Sequence, residues 1–203
     1  MIAIIDYGMG NIHSVNKALQ LLGAQTKITN DPKEIRSADK AVLPGVGAFD
    51  DAMAELKKQG LVAEINDFVK NGKPLLGICL GVQLFFEESE EAKKEKGLGL
   101  LKGKVKRFEH KAGLKVPHMG WNQIKASASK SPLFKDIKDG SFVYFAHSYY
   151  PMPKEQAVTS ATCDYGNEFT AAVSRGNLYG VQFHPEKSQK VGLKILENCV
   201  RSC

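Results

Sequence analysis

The segment Leu75-Leu76-Gly77-Ile78-Cys79-Leu80-Gly81, which follows Pro74, is the clearest indication of the fold class. Residues 75–78 are apolar without interruption, a pattern typical of a central parallel strand that is covered on both faces. Ahead of this stretch, short apolar runs alternate with stretches of helical periodicity. This order predicts an α/β domain, with a mostly parallel central sheet and flanking helices.

The other elements follow from periodicity and turn signals. In the first half we expect strands at 2–5, 24–29, 40–43 and 75–78, and helices at 11–22, 48–58 and 61–71. In the second half we expect shorter strands at 97–101, 104–108, 121–126, 141–145, 171–175 and 178–183, and a last helix at 189–201. The second half therefore predicts an added antiparallel portion, and we expect residues 1–203 to form a single domain.

Composition excludes several classes of protein. The 203 residues are 43% hydrophobic and 25% charged, with a net charge of +6, which is ordinary for a globular protein. No apolar run approaches the roughly 18 residues of a membrane helix, and Asp6 interrupts the first apolar segment, so it does not resemble a signal peptide. The four cysteines form no Cys-x-x-Cys pair, and the histidines share no metal-ligand spacing. We therefore expect a cytoplasmic protein with reduced thiols, no membrane partner, no metal and no cofactor.

A local excess of positive charge lies between residues 102 and 115. Its members, which have Glu109 as their one acidic neighbour, are Lys102, Lys104, Lys106, Arg107, Lys111 and Lys115. Such a stretch can bind nucleic acid, but Phe108 is the one aromatic residue interleaved with it, so no stacking platform results. We interpret it as a solvated surface or a docking surface, and we expect no nucleic-acid partner.

The segment Gly77-Ile78-Cys79-Leu80-Gly81 has the pattern of a nucleophile elbow with cysteine in place of serine. Glycines on both sides relieve the crowding of a sharp turn from strand to helix, and the turn lifts the sulfur clear of the sheet. We expect helical periodicity from Val82, which places Cys79 at a helix N-terminus where the dipole favours a thiolate. The N–H of Leu80 would then point towards a developing oxyanion. The alternative is a small apolar cysteine packed at a strand end.

A second motif, His184-Pro185-Glu186, supplies a base and an acid. On an extended chain, positions i and i+2 face the same side, so Glu186 can reach the imidazole of His184, and Pro185 is expected to keep the segment extended. His184 would accept the proton of Cys79, a step worth about 10²–10⁴-fold in rate. The chain order Cys, His, Glu differs from the order in α/β-hydrolases, which argues against an ordinary esterase.

Together, residues 77–83 and 182–186 resemble the class I (triad) glutamine amidotransferases, and so imply a flavodoxin-like fold. Within that class the chain resembles the family of the glutaminase subunit of imidazole glycerol phosphate synthase, in histidine biosynthesis. The segments that carry this resemblance are Asp6-Tyr7-Gly8-Met9-Gly10-Asn11, Leu43-Pro44-Gly45-Val46-Gly47-Ala48-Phe49, Pro117-His118-Met119-Gly120-Trp121-Asn122 and His147-Ser148-Tyr149.

The resemblance implies a reaction. Cys79 attacks the side-chain amide of L-glutamine, a glutamyl thioester forms, and glutamate and ammonia are released, while His184 moves protons and Glu186 orients His184. The residues implied to hold the oxyanion or the substrate are Gly45, Val46, Gly47, Leu80, Gln83, Ser148 and Tyr149. The strip 45–47 is implied to need a peptide flip before it donates, which glycines on both sides of Val46 make easy.

The resemblance also implies a partner. The glutaminase would form a heterodimer with a (β/α)₈-barrel cyclase, or synthase subunit, which uses the ammonia to make imidazole glycerol phosphate and an aminoimidazole carboxamide ribonucleotide. The positions implied near that interface are Asn11, Trp121, Tyr144 and Lys187. From the residues alone, Asn11 could instead be a helix N-cap, the two aromatic residues could belong to the core, and Lys187 could be a solvated charge.

Two alternatives stay open. A paralogous amidotransferase would supply ammonia to a nucleotide-sugar or surface-polysaccharide pathway, because the final acceptor binds to the partner. A non-catalytic binding or sensor protein would use Cys79 as a reactive thiol without turning over glutamine. The pair His184 and Glu186 argues against a sensor, since a sensor needs no acid to orient a base.

Overall fold

The computed structural model describes residues 1–109, 113–126 and 131–203, so Lys111 of the basic stretch lies outside the described residues. The strands are β1 (Ile2–Ile5), β2 (Thr26–Thr29), β3 (Lys40–Gly45), β4 (Leu75–Cys79), β5 (Phe86–Ser89), β6 (Leu101–Arg107), β7 (His118–Ala126), β8 (Ser141–His147), β9 (Tyr149–Pro153), β10 (Thr159–Asp164), β11 (Glu168–Arg175) and β12 (Leu178–Val181). The helices are α1 (Ile12–Leu21), α2 (Pro32–Ser37), α3 (Phe49–Lys58), α4 (Leu61–Lys70), α5 (Leu80–Gln83) and α6 (Gln189–Ser202).

Within the described ranges, nine strands form one sheet in the order β2-β1-β3-β4-β12-β11-β10-β7-β8. The first five strands are parallel, and the remaining pairs are antiparallel. The parallel half has the strand order of flavodoxin-like folds, in which sites form at the carboxyl ends of the strands. A second sheet has the order β5-β6-β9. The predicted α/β fold with an added antiparallel portion is confirmed.

Both faces of the parallel half are buried, which explains its uninterrupted apolar strands. On β1, Ile2 and Ile4 belong to a cluster that includes residues of α1 and α6. The alternate residues Ala3 and Ile5 belong to a second cluster, which includes residues of α2, α3 and α4. Because side chains alternate along a strand, the central strands must be apolar at every position.

Several elements differ from the expectation. The strand expected at 97–101 is wrong, because of these residues only Leu101 lies in a strand, at the start of β6. The helix α2 and the strands β5, β9 and β10 are additional. The start of α2 carries a local signal, since Asp31 accepts a 2.8 Å hydrogen bond from the N–H of Lys33 and Pro32 takes the first helical position. Among these strands, β9 pairs with β6, which lies far away in the sequence, whereas β10 forms a hairpin with the next strand, β11.

The described residues contain no helix of the length and apolar character that a membrane crossing requires. The thiols of Cys79, Cys163, Cys199 and Cys203 are all free.

Candidate active site

Cys79 occupies a strained turn at the carboxyl end of the central strand β4. Its φ is 55° and its ψ is −113°, a combination that costs a residue with a side chain free energy and recurs at functional sites. The helix expected from Val82 is wrong in its start: α5 begins at Leu80 and ends at Gln83. One helical turn sums few peptide dipoles, so groups in contact with the thiol matter more than a helix dipole.

The elbow requires glycine at position 81, because this residue lies against the neighbouring strand β3. A Cβ atom on Gly81 would overlap the carbonyl oxygen of Leu43, a backbone atom that cannot move without distorting the sheet. Gly77 is similarly enclosed, since a Cβ atom there would lie 2.8 Å from the carbonyl carbon of Gly81. The two glycines therefore allow the turn to pack on the sheet.

We expect Gly81→Ala to lower the free energy of unfolding by about 3 kcal/mol or more, since overpacking against backbone forces the strands apart. Chemical denaturation measures this loss. The matched control is Gly23→Ala, because Gly23 has a φ of +79° and open space around it, so its cost is conformational only and about 1 kcal/mol. Equal losses for the two variants would contradict the steric argument.

The structure brings Cys79, His184 and Glu186 together. The Nδ1 atom of His184 lies 2.9 Å from Oε1 of Glu186, and the two side chains are 4% and 1% exposed. Burial lowers the pKa of His184, but its hydrogen bonds with Cys79 and Glu186 outweigh burial and raise the pKa to about 10. The imidazole therefore holds a proton on each of its two nitrogens at neutral pH.

The extended chain that was expected at residues 184–186 is wrong, although the pairing of His184 with Glu186 that it was used to explain is present. Residues Pro185–Lys187 form a turn of 3₁₀ helix, so Glu186 reaches back through a turn rather than along an extended chain. Proline suits the first position of such a turn because its φ is fixed near the helical value.

A residue that the sequence analysis missed, Ser188, holds the turn against the edge strand β8. Its hydroxyl donates to the carbonyl of His184 at 2.6 Å and accepts from the N–H of Tyr144 at 2.9 Å. The N–H of His184 donates in turn to the carbonyl of Tyr144 at 2.9 Å. The backbone of the base is thereby attached to the sheet.

A cavity of about 380 Å³ opens over the sulfur of Cys79. The predicted site residues that line it are Val46, Gly47, Cys79, Leu80, Gln83, Ser148, Tyr149, His184 and Lys187. Gly45 is paired with Cys79 across the β3–β4 ladder. The carboxylate of Glu91, which the sequence analysis missed, also lines the cavity; burial raises its pKa, and a 3.0 Å hydrogen bond from the N–H of Phe49 partly offsets this.

The strip 45–47 lies directly against the elbow. A Cβ atom on Gly45 would lie 2.7 Å from the hydroxyl oxygen of Tyr7 and 2.9 Å from the nitrogen of Gly81. The buried Tyr7, also missed, donates from its hydroxyl to the carbonyl of Pro44 at 2.9 Å. Burial and the nearby Cys79 both raise the pKa of Tyr7, so its hydroxyl keeps the proton that it donates.

Gln83 is part of a hydrogen-bond network beneath the cavity. Its Nε2 atom donates to the carbonyl of Tyr149 and to Oε1 of Gln182, each at 3.0 Å. The Nε2 atom of Gln182 lies 3.7 Å from the sulfur of Cys79, to which it donates. Both amide hydrogens of Gln83 are engaged, so Oε1 is the atom of that side chain left to meet a substrate.

Three of the four residues predicted near an interface form one cluster. Trp121 lies opposite Tyr144 on β7 and β8, with ring centroids 6.0 Å apart, and Nζ of Lys187 lies 5.8 Å from the Tyr144 ring. Trp121 is 46% exposed, so it is not a core aromatic residue. Asn11 lies elsewhere, in a narrow cavity that Glu186 also lines. Asn11 holds the N-cap position of α1, but within the described residues its side chain makes no capping hydrogen bond.

Comparison with known proteins agrees with this fold. The family model described as "Glutamine amidotransferase class-I" matches residues 3–203. Among solved structures, that of PurLQS from Thermotoga maritima has a TM-score of 0.76 at 20% identity, covering 97% of this chain and 95% of that one. The chain thus belongs to the class I glutamine amidotransferases, and it is an enzyme of that class.

Two curated relatives define the family within the class. Imidazole glycerol phosphate synthase subunit HisH of Moorella thermoacetica is 55% identical, over 97% of this chain and 92% of the relative. The HisH subunit of Thermosynechococcus vestitus is 52% identical, over 98% of this chain and 95% of the relative. The chain is therefore a member of the HisH family, the glutaminase subunits of imidazole glycerol phosphate synthase in histidine biosynthesis.

Proposed function

We propose that residues 1–203 act as one amidotransferase domain in which Cys79 is the nucleophile, His184 the general acid and base, and Glu186 the group that orients His184. The observation that carries this proposal is the strained Cys79 turn in contact with the buried His184–Glu186 pair, which are 2.9 Å apart. A cysteine without a catalytic task has no need of such a backbone or of two buried ionisable partners.

In the proposed reaction, the Cys79 sulfur, whose proton is already on His184, attacks the side-chain amide carbon of L-glutamine. The N–H of Leu80 and the strip 45–47 stabilise the resulting oxyanion. The carbon–nitrogen bond then breaks, His184 returns the proton to the leaving nitrogen, and ammonia departs. Water attacks the thioester, with His184 accepting its proton, and glutamate leaves as the Cys79 thiol re-forms.

We assign the substrate contacts from charge and hydrogen-bonding capacity. Glu91 is the acidic group in the cavity lining, so it suits the α-ammonium group of glutamine. Oε1 of Gln83 is an acceptor for the same ammonium. The backbone at Ser148 and Tyr149 lines the same cavity and supplies donors for the α-carboxylate. Glutamine would thus lie with its side-chain amide over Cys79.

We propose that a (β/α)₈-barrel cyclase subunit docks over the mouth of this cavity. The support is a group of exposed large apolar side chains: Val46 and Met119 line the cavity, and Trp121 and Phe142 lie farther along β7 and β8. Lys187 lies beside them and adds a charge at the rim. Docking at this place would keep the ammonia from water, which would protonate it, and deliver it to the barrel for the synthesis of imidazole glycerol phosphate and an aminoimidazole carboxamide ribonucleotide.

The experiment is glutamate release from L-glutamine by the chain alone, with the cyclase, and with the cyclase and its nucleotide ligand. We expect stimulation by the cyclase and its ligand. Turnover without any stimulation would favour a paralogue with another acceptor. Absence of turnover under every condition would refute the mechanism and would favour the alternative in which Cys79 is a reactive thiol that does not turn over glutamine.

The docking surface has its own test. Trp121→Ala should weaken cyclase binding about tenfold or more, because a large aromatic side chain at an interface centre carries much of the binding energy. Leu21→Ala is the control, since Leu21 is 75% exposed on α1, outside this surface. Isothermal titration calorimetry measures both affinities, and equal affinities would move the interface away from Trp121.

A further inference from the structure

Two buried histidines, which have no part in the reaction above, lie side by side on β7 and β8, the strands that carry Trp121 and Phe142. His118 on β7 and His147 on β8 are directly opposite each other in the antiparallel register. They are 3% and 4% exposed. Nδ1 of His118 lies 3.0 Å from Nε2 of His147, so one ring must donate to the other.

The hydrogen-bond partners determine the tautomer of each ring. Nδ1 of His147 lies 2.7 Å from the carbonyl oxygen of Tyr149, which can only accept, so Nδ1 carries the hydrogen. A neutral imidazole has one N–H, so Nε2 of His147 accepts and Nδ1 of His118 donates. Nε2 of His118 then accepts from Nδ2 of Asn122 at 3.3 Å. All bonds in this chain run in one direction.

Both rings are neutral, as this assignment requires. Burial lowers the pKa of His118 to about 4. Burial likewise lowers the pKa of His147 to about 3, and the hydrogen bond to the Tyr149 carbonyl offsets only part of this shift. The pair therefore stays in one hydrogen-bonded state across the neutral pH range.

The chain of donors ends at a backbone atom of the substrate cavity. The carbonyl of Tyr149 accepts from His147 on one side and from Gln83 on the other. With both donors in place, the peptide group after Tyr149 cannot rotate without leaving two buried donors unpaired. Gln83 in turn reaches Cys79 through Gln182, so one network joins β7 to the nucleophile.

We propose that His118 and His147 are positioning residues for glutamine: through their donor chain they hold the carbonyl of Tyr149, and thereby fix the adjoining Ser148–Tyr149 backbone in the orientation that binds the substrate's α-carboxylate. This inference rests on the proposed function, because it assumes that this backbone binds glutamine. It assigns to the Pro-His-Met-Gly-Trp-Asn segment a role inside the protein, in addition to the exposed face that Met119 and Trp121 present.

A packing role is the rival explanation, because the His118 ring is stacked between two aromatic rings. Its centroid lies 4.6 Å from that of Phe145 and 3.9 Å from that of Tyr165, with interplanar angles of 24° and 22°. Two substitutions separate the explanations. His118→Phe keeps an aromatic ring but removes the donor, whereas His118→Asn keeps an N–H donor close to the Nδ1 position but removes the ring.

The variants are measured by steady-state glutaminase kinetics in the complex with the cyclase and its nucleotide ligand. We expect His118→Phe to raise KM for glutamine about tenfold, because it leaves the buried Nε2 of His147 unpaired. We expect His118→Asn to keep KM within about threefold of the wild type, because its side chain still supplies the donor. The kcat of both variants should change less than KM does. Lys125→Ala, on the exposed face of the same strand, is the control for general effects on β7.

A second measurement uses the unmodified chain. Nitrogen-15 NMR of labelled histidine should show two neutral rings that carry hydrogen on Nδ1. An Nε2–H tautomer or a charged ring at either position would overturn the proposal. A fall in kcat as large as the rise in KM, seen in both His118 variants, would also overturn it. The rate of Cys79 alkylation by iodoacetamide should be the same in all variants, since the triad is intact. Lack of glutamine turnover by the wild-type complex would instead refute the proposed function, and leave the tautomer result standing.

Discussion

Replacing Cys79 by alanine is expected to lower the rate of glutamate release from L-glutamine by about 10⁴–10⁶-fold, as loss of the nucleophile does in other covalent catalysts. Without the sulfur no thioester can form, and water has no comparable position between His184 and the oxyanion donors. Steady-state kinetics with the cyclase bound measures the loss. Mass spectrometry of the wild-type chain quenched during turnover should also show a glutamyl adduct that the variant lacks.

The matched control for this variant is Cys163→Ala. Cys163 is a buried thiol on β10, and burial, followed by the charge of Asp164, raises its pKa to about 12, so it is unreactive at neutral pH. We expect its removal to leave kcat unchanged. Activity of Cys79→Ala within tenfold of the wild type would contradict the assignment of the nucleophile.

Glu186→Gln is expected to lower kcat by about 10³–10⁴-fold, even though the side chain keeps its shape. If the amide oxygen faces Nδ1 of His184, the amide nitrogen takes the place of Oε2, a buried atom that has no hydrogen-bond partner among the described residues. If the amide nitrogen faces Nδ1, the imidazole must carry its hydrogen on Nε2 alone, and it can no longer hold a hydrogen on both nitrogens as the wild-type ring does. Either orientation impairs the base.

This substitution also has a pH signature. The charge and hydrogen bond of Glu186 help to raise the pKa of His184 to about 10, so their loss should lower that pKa. At pH 8, which lies above the ordinary histidine value, the wild-type ring is charged, and the variant ring should be less protonated. Nitrogen-15 NMR titration follows the ring, and Glu186→Asp is the control that keeps the charge. An unchanged titration together with an unchanged kcat would contradict the orienting role.

Features encoded by neighbouring residues could be predicted from the sequence. The parallel strands are continuous apolar runs because both sheet faces are covered, and the elbow is a five-residue pattern around Cys79. The strands expected at 171–175 and 178–183 overlap β11 and β12, which pair antiparallel. The roles of the triad and of the substrate strips stay predictions, although the structure places all of these residues except Gly45 and Glu186 in the lining of one cavity.

Features that depend on distant partners could not be predicted. The strand β9 forms through pairing with β6, which lies far away in the sequence, and β10 joins the distant strand β7 to its neighbour β11. Tyr7, Glu91 and Gln182 are ordinary residues in the sequence, and they matter at the site because of what the fold places beside them. Single-sequence patterns report periodicity and turns, whereas these roles come from long-range contacts.

The sequence by itself determined the fold class, the candidate nucleophile and its base, because each depends on a local pattern of apolar residues, glycines and ionisable groups. The three-dimensional fold was needed to show that Glu186 reaches His184 through a turn. It was also needed to show that Gln83 donates both amide hydrogens, to Tyr149 and to Gln182. The fold likewise places His118 and His147 within hydrogen-bond distance of each other. The physical reason is that a buried polar group must find its partner in space, and the chain brings that partner from any distance along the sequence.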